Sequence, residues 1–197
     1  LLLTLLLTMV AALVLGTGLP TSATYIITSI MAAPALVQLG VPVLAAHMFV
    51  FYFGILADLT PPTAISTYAT SSIAGADVWK TQWTAMGLAL SGFIIPFSFA
   101  YDPALLLLKS SVAHIVLRTL ATTLGIVMLG AGVIGYLRAP TRLWERAVLL
   151  AGAVLLIFPG ALSDVVGVVC FVLVLVAQGW RAAPAAGRDR RDTIASA

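Results

Sequence analysis

An aspartate and two adjacent prolines sit in the middle of an apolar stretch long enough to cross a membrane. Ala57-Asp58-Leu59-Thr60-Pro61-Pro62-Thr63-Ala64 follows residues 41–56, which carry no charge, and precedes a second, mostly apolar run. Proline lacks an N–H and clashes with the preceding turn, so tandem prolines predict a helix break here. In lipid, broken backbone survives only where protein covers it or where it lines a polar cavity. A carboxylate near mid-membrane costs about 2.5–3.5 kcal/mol on insertion scales, which makes Asp58 a candidate functional residue. A second interruption, Gly16-Thr17-Gly18-Leu19-Pro20-Thr21-Ser22, separates residues 1–15 from 23–39. Paired Gly/Pro interruptions of hydrophobic segments are a sequence pointer to substrate and ion sites in membranes. Residues 16–22 and 60–63 are therefore expected to approach one another.

The composition supports a membrane setting. Hydrophobic residues make up 61% and charged residues 9%, against roughly 25% charged in a soluble domain. Mean hydropathy is +1.12, and several runs approach the ~20 apolar residues that cross a bilayer. The expected fold class is an all-α integral membrane protein. The chain opens inside an apolar run without a starting Met or a basic n-region, so residue 1 reads as a cut inside a longer protein. The single Cys170 excludes an internal disulfide or a cysteine-built metal site. The net charge of +3 comes largely from loops and tail, and speaks to topology, not to nucleic acid.

Taken in order, residues 1–39 predict a helical hairpin with its tip at 16–22, its second arm bent or stopped near Pro34. Each arm spans about 15 residues, or roughly 22 Å, short of the ~30 Å core. Two readings are open: a re-entrant hairpin whose tip stops near the midplane, or full spans with the tip in water. After a turn at Gly40-Val41-Pro42, residues 43–73 predict a broken helix with halves 43–56 and 64–73. Trp79, Lys80 and Trp83 mark a membrane–water boundary. Residues 84–101 predict a span kinked at Pro96, and Asp102-Pro103 opens a loop reaching Lys109. Residues 114–137 predict an ordinary span, followed by a basic loop with Arg138, Arg142 and Arg146. Two short apolar helices, 147–158 and 165–180, flank Pro159-Gly160. The predicted domains are 1–108, a membrane extension 109–181, and a small, polar, basic tail 182–197 expected to be disordered. The arginines at 138, 142, 146 and 181–191 place the C-terminus in the cytoplasm by the positive-inside rule, with Lys109 and Arg118 against the trend.

Helix ends at a break leave N–H and C=O groups unpaired. Carbonyl-bearing ends suit a dehydrated cation, and N–H-bearing ends suit an anion. Thr17, Thr21, Ser22, Thr60 and Thr63 add neutral oxygens fit for a hard monovalent ion such as Na⁺, while the same hydroxyls can instead satisfy local backbone. Asp58 tethers local N–H groups, touches the cation or sits in an aqueous path. A relay from His47 to Asp58 is disfavoured, because eleven residues of helix separate them by about 16 Å. Gly130-Ala131-Gly132-Val133-Ile134-Gly135 matches a dinucleotide motif but lies inside one apolar helix, so its small residues read as helix packing. No transition-metal motif, no nucleophile motif and no other enzyme signature is present.

Gly16-Thr17-Gly18-Leu19-Pro20-Thr21-Ser22-Ala23, Ala33-Pro34-Ala35-Leu36, Ala45-Ala46-His47-Met48-Phe49 and Asp58-Leu59-Thr60-Pro61-Pro62 together resemble one family. The chain is similar to the large permease subunit of tripartite ATP-independent periplasmic (TRAP) transporters, in the form where small and large subunits are fused. Ala74-Gly75-Ala76-Asp77 and Tyr101-Asp102-Pro103-Ala104-Leu105-Leu106 match the fused form. The resemblance covers about residues 1–108 and implies an elevator-type fold with inverted repeats. It implies Na⁺-driven uptake of organic acids (dicarboxylates, keto acids or related carboxylates), delivered by a periplasmic substrate-binding protein across the bacterial inner membrane. No cofactor beyond the coupling ion is implied. By motif, Gly16, Thr17, Gly18, Pro20, Thr21 and Ser22 would form one hairpin tip. Asp58, Thr60, Pro61, Pro62 and Thr63 would form the unwound helix facing it, and the two would share a sodium site and half of the substrate site. The rest of the permease chain would be a partner. Two other classes stand beside this reading: a structural or assembly subunit without an ion site, and a membrane enzyme.

Overall fold

The computed structural model describes residues 1–108 and 110–195. Lys109, at the end of the predicted loop, and residues 196 and 197 of the predicted tail lie outside the described residues. The described chain is helical, without a strand. It divides inside one helix into two compact units, 1–122 and 123–197.

In the first unit, α1 (Leu2–Gly16) and α2 (Thr21–Gln38) form a hairpin that packs on α3 (Val43–Leu56). Helix α3 is apolar on every side and becomes the centre of the unit: Ala45, Ala46, Phe49, Val50 and Phe53 are all fully buried. Phe49 and Phe53 meet Phe97 edge-on, with ring centroids 5.3 and 6.0 Å away. Of the two outcomes expected at Pro34, a bend or a stop, the stop does not occur, since α2 runs through it to Gln38. A proline removes one N–H, and membrane helices tolerate this where neighbours re-satisfy the freed carbonyl. Gly40, at φ +90°, then turns the chain into α3.

Helix α3 ends at Leu56 in a 3-10 turn, Ala57–Leu59, and α4 (Ile65–Ala74) begins after the proline pair. The Pro61–Pro62 peptide bond is cis. Ala64, fully buried, holds φ +35°, so the reversal into α4 is made by a non-glycine residue in the left-handed region. Gly75 closes α4, and Asp77 opens α5 (Val78–Leu88) by accepting a 2.8 Å hydrogen bond from the Lys80 N–H. Helix α6 (Leu90–Tyr101) continues from α5 with an irregularity at Ala89, upstream of Pro96, where the sequence predicts the kink. That irregularity lies seven residues before Pro96, farther than the carbonyl four residues back with which a proline ring clashes, so Pro96 does not account for it. A second 3-10 turn, Pro103–Leu106, leads towards α7 (Val112–Ile134).

Arg118, only 2% exposed, forms an ion pair with Asp102 at 3.2 Å, and His114 approaches the same carboxylate oxygen at 3.1 Å. The cation that runs against the expected charge asymmetry is thus neutralised locally.

The second unit joins the end of α7 to α8 (Leu143–Ile157) and α9 (Ala161–Ala195). Its core holds Met128, Leu149, Ala153, Leu156, Ile157 and Val174. A Cβ on Gly152 would meet Met128 and Cys170, and one on Gly167 would overlap Leu156, so small residues set the close approach of α8 and α9. Of the glycines in 130–135, Gly132 packs against Leu150, Gly135 ends α7 at φ +83°, and Gly130 faces open space. Where the sequence predicts a disordered tail, α9 continues through 182–195. That stretch mixes alanines and arginines, which favour a helix, with Pro184 and Gly187, which do not. Three helical stretches among the described residues are long and apolar enough to cross a membrane: Val78–Tyr101, Val112–Ile134 and Leu162–Gly179.

Candidate functional site

The hairpin tip meets the 3-10 turn Ala57–Leu59, just ahead of the proline pair. The Thr21 hydroxyl donates a 2.9 Å hydrogen bond to Asp58 Oδ2, across 37 residues of sequence. Beside it the backbones close up: Gly16 is buried, and a Cβ there would overlap the Ala57 side chain. Glycine is required at that point by the approach of another chain segment, not by its own dihedral angles.

An open groove of about 580 Å³ lies over this contact, lined by Gly18, Leu19, Pro20, Thr21, Asp58, Ile65 and Ser66. Its polar groups are Thr21, Asp58 and Ser66. Ser66 donates a 2.9 Å hydrogen bond to the Asp58 carbonyl, which ties the first turn of α4 back to the 3-10 turn. Two helix N-termini, those of α2 at Thr21 and α4 at Ile65, begin at this groove, and α3 ends beside it. N–H-bearing and carbonyl-bearing helix ends therefore share one partly exposed space with a single carboxylate.

The other residues singled out in the sequence divide by what they bond. Thr60 donates from Oγ1 to the Leu56 carbonyl at 2.8 Å, closing the end of α3. Thr17 does the same for α1 through the Val14 carbonyl at 2.7 Å. Both hydroxyls spend their proton locally and keep oxygen lone pairs available to a cation. Pro61 and Thr63 are half-buried, while Ser22 and Pro62 are exposed. His47 does not address Asp58: its Nδ1 lies 3.1 Å from the Tyr25 hydroxyl, which pins α2 to α3.

Ser66 and Ile65 were not singled out from sequence. The available clue was a serine at the first turn of the helix after the break, a position that serves the backbone of the preceding loop. No group of three His, Cys, Asp or Glu residues that could hold a metal occurs among the described residues.

An all-helical chain with three membrane-length apolar helices is a multi-pass membrane protein. Residues 1–114 match the family described as "Tripartite ATP-independent periplasmic transporter, DctM component". The match takes in more than half of the 197 residues, and the chain belongs to this family of transporter permeases, which is not an enzyme family. No match was found among curated proteins or among solved structures.

Proposed function

We propose that this chain supplies half of the ion and substrate site of a sodium-driven permease for organic acids loaded by a periplasmic binding protein. The observation that carries the reading is the Thr21–Asp58 hydrogen bond, which joins two helix interruptions over a shared groove. In this reading residues 1–39 form a re-entrant hairpin, and 43–73 form one crossing broken at its middle, both within an elevator-type transport domain. Carbonyls at the ends of α1 and α3, with the Thr21 and Thr60 oxygens, replace part of sodium's hydration shell. Asp58 offsets the ion's charge and holds the tip closed. The N–H-bearing starts of α2 and α4 face the substrate carboxylate. The protein sits in the bacterial inner membrane with its C-terminus in the cytoplasm, where the arginines of the second unit favour it.

Thr60→Val tests the ion site in the complete permease. Valine keeps the β-branched shape and removes the oxygen. Losing the bond to the Leu56 carbonyl should cost about 1 kcal/mol of stability. Losing a ligand to a charged partner, worth roughly 1.5–3 kcal/mol, should raise the sodium midpoint for uptake about ten- to hundredfold. Uptake into proteoliposomes, titrated with sodium at saturating loaded binding protein, separates the two effects. A wild-type midpoint in folded variant removes Thr60 from the site, and sodium-independent uptake by the unmutated permease defeats the whole reading.

A further inference from the structure

The turn between α7 and α8 is built as a rigid frame that leaves two arginines in solvent. Gly135 ends α7, and the Thr141 N–H closes the turn on the Gly135 carbonyl at 2.9 Å. Arg146 is consumed by structure: its Nε donates to the Gly132 carbonyl at 2.9 Å and its Nη2 to the Val133 carbonyl at 2.7 Å, capping α7. Glu145 is fully buried and accepts from the Arg142 N–H at 3.0 Å and from Gln178 Nε2 at 3.4 Å. Gln178, 2% exposed, accepts in turn from the Arg138 N–H at 3.2 Å.

These bonds fix the location of the turn. The membrane-length helices Val112–Ile134 and Leu162–Gly179 finish at the same end of the second unit, because the loop after one is bonded to Gln178 of the other. That end is therefore one membrane–water boundary. The backbones of Arg138 and Arg142 are held at it while both side chains are exposed. Around them stand Tyr136 at 56% exposure, Trp144 at 48% and Leu143 at 84%, an aromatic and apolar rim of the kind that seats among acyl chains and headgroups. The carboxylate closest to them in sequence, Glu145, is fully buried. Asp164 lies in the first turn of α9, at the opposite end of that span. The sequence beyond Gly179 adds Arg181, Arg188, Arg190 and Arg191 against Asp189 and Asp192.

We propose that Arg138 and Arg142 form a binding site for the phosphate of an anionic phospholipid, with Trp144, Tyr136 and Leu143 contacting its glycerol and upper acyl region. A guanidinium is a fixed fork matched to phosphate oxygens. A free anion would find the arginines but would have no use for an exposed leucine and two aromatic rings beside them. A phospholipid satisfies both halves of the surface at once.

The test uses the intact chain in detergent, titrated with short-chain phosphatidylglycerol, short-chain phosphatidylcholine or inorganic phosphate while tryptophan emission is followed. Phosphatidylglycerol is expected to bind saturably and about ten- to thirtyfold tighter than phosphatidylcholine, the scale of two arginines near a charged headgroup. Trp144→Phe should remove most of the emission change, because Trp144 is the tryptophan beside the two arginines. Arg138→Gln with Arg142→Gln should abolish the preference while leaving helical content and unfolding temperature unchanged, since neither side chain holds the frame. Equal affinity for the two lipids, full competition by inorganic phosphate, or an unaltered preference in the folded double variant would each overturn the proposal. The site belongs to the second unit alone, so its failure leaves the sodium reading of the first unit untouched.

Discussion

Gly16→Ala is expected to destabilise the protein by about 1–3 kcal/mol, the usual scale for forcing a methyl into a filled space. The direction of the effect is diagnostic. Gly16 is the last residue of α1 and has helical dihedrals, so on backbone grounds alone alanine should be better by about 1 kcal/mol. Only the Ala57 side chain, which a new Cβ would overlap, reverses that expectation. Ala57→Gly in the same chain removes the overlapping atom and should restore most of the loss. Gly18→Ala is the internal control, because nothing lies within 4 Å of a Cβ placed there and its φ is not positive. Thermal unfolding of the four proteins in detergent measures all three effects. Uptake by the complete permease adds a second readout: separating the tip from the 3-10 turn should also break the Thr21–Asp58 hydrogen bond, and transport should fall with stability and return with Ala57→Gly. A stable Gly16→Ala protein would mean that tip and turn do not touch.

The glycine pair shows what a sequence can and cannot carry. Gly-Thr-Gly weights both glycines equally; only the docking of the tip on Ala57 separates the one that is needed from the one that is spare. Pro61, Pro62 and the glycines at 40 and 75 act through their own backbone, so the breaks and turns they cause were legible within a residue or two. Tyr25 and His47 were legible only as an aromatic and a histidine on apolar helices, because their bond depends on how α2 crosses α3. The same limit hid Ser66, whose partner is a backbone carbonyl eight positions back across the break. Asp58 stood out by charge in an apolar run, yet its partner Thr21 is supplied by another element. The tail from 182 is ambiguous for a different reason. Its mixture of small and charged residues fits both a solvated coil and an alanine–arginine helix, and composition cannot choose between them.

Arg118→Ala should be among the most damaging single substitutions in the first unit, costing about 3–5 kcal/mol, because it leaves a carboxylate without its buried cation. Asp102 holds three partners: Arg118 at 3.2 Å and His114 at 3.1 Å on Oδ2, and the Ala104 N–H at 3.0 Å on Oδ1. The last of these starts the 3-10 turn, so the acid anchors the loop to α7 and shapes the loop itself. His114 is half exposed and can shift towards water, whereas Arg118 is 2% exposed and cannot. Removal of the charge on both sides should cost far less than removal on one. Asp102→Asn with Arg118→Met keeps an oxygen for the Ala104 N–H and fills the arginine's volume with an apolar chain, and buried ion pairs replaced in this way are often near neutral. The double variant should therefore unfold at a temperature well above Arg118→Met alone, with a coupling of roughly 2 kcal/mol or more between the two positions. Additive losses would show that the pair is a coincidence of packing and that Arg118 is held by other contacts. The matched family region ends at residue 114, four positions before Arg118 in the same helix. If the coupling is found, the loop at Asp102 depends for its stability on a residue beyond the matched stretch. Truncation at that boundary should then destabilise the loop as much as Arg118→Ala does.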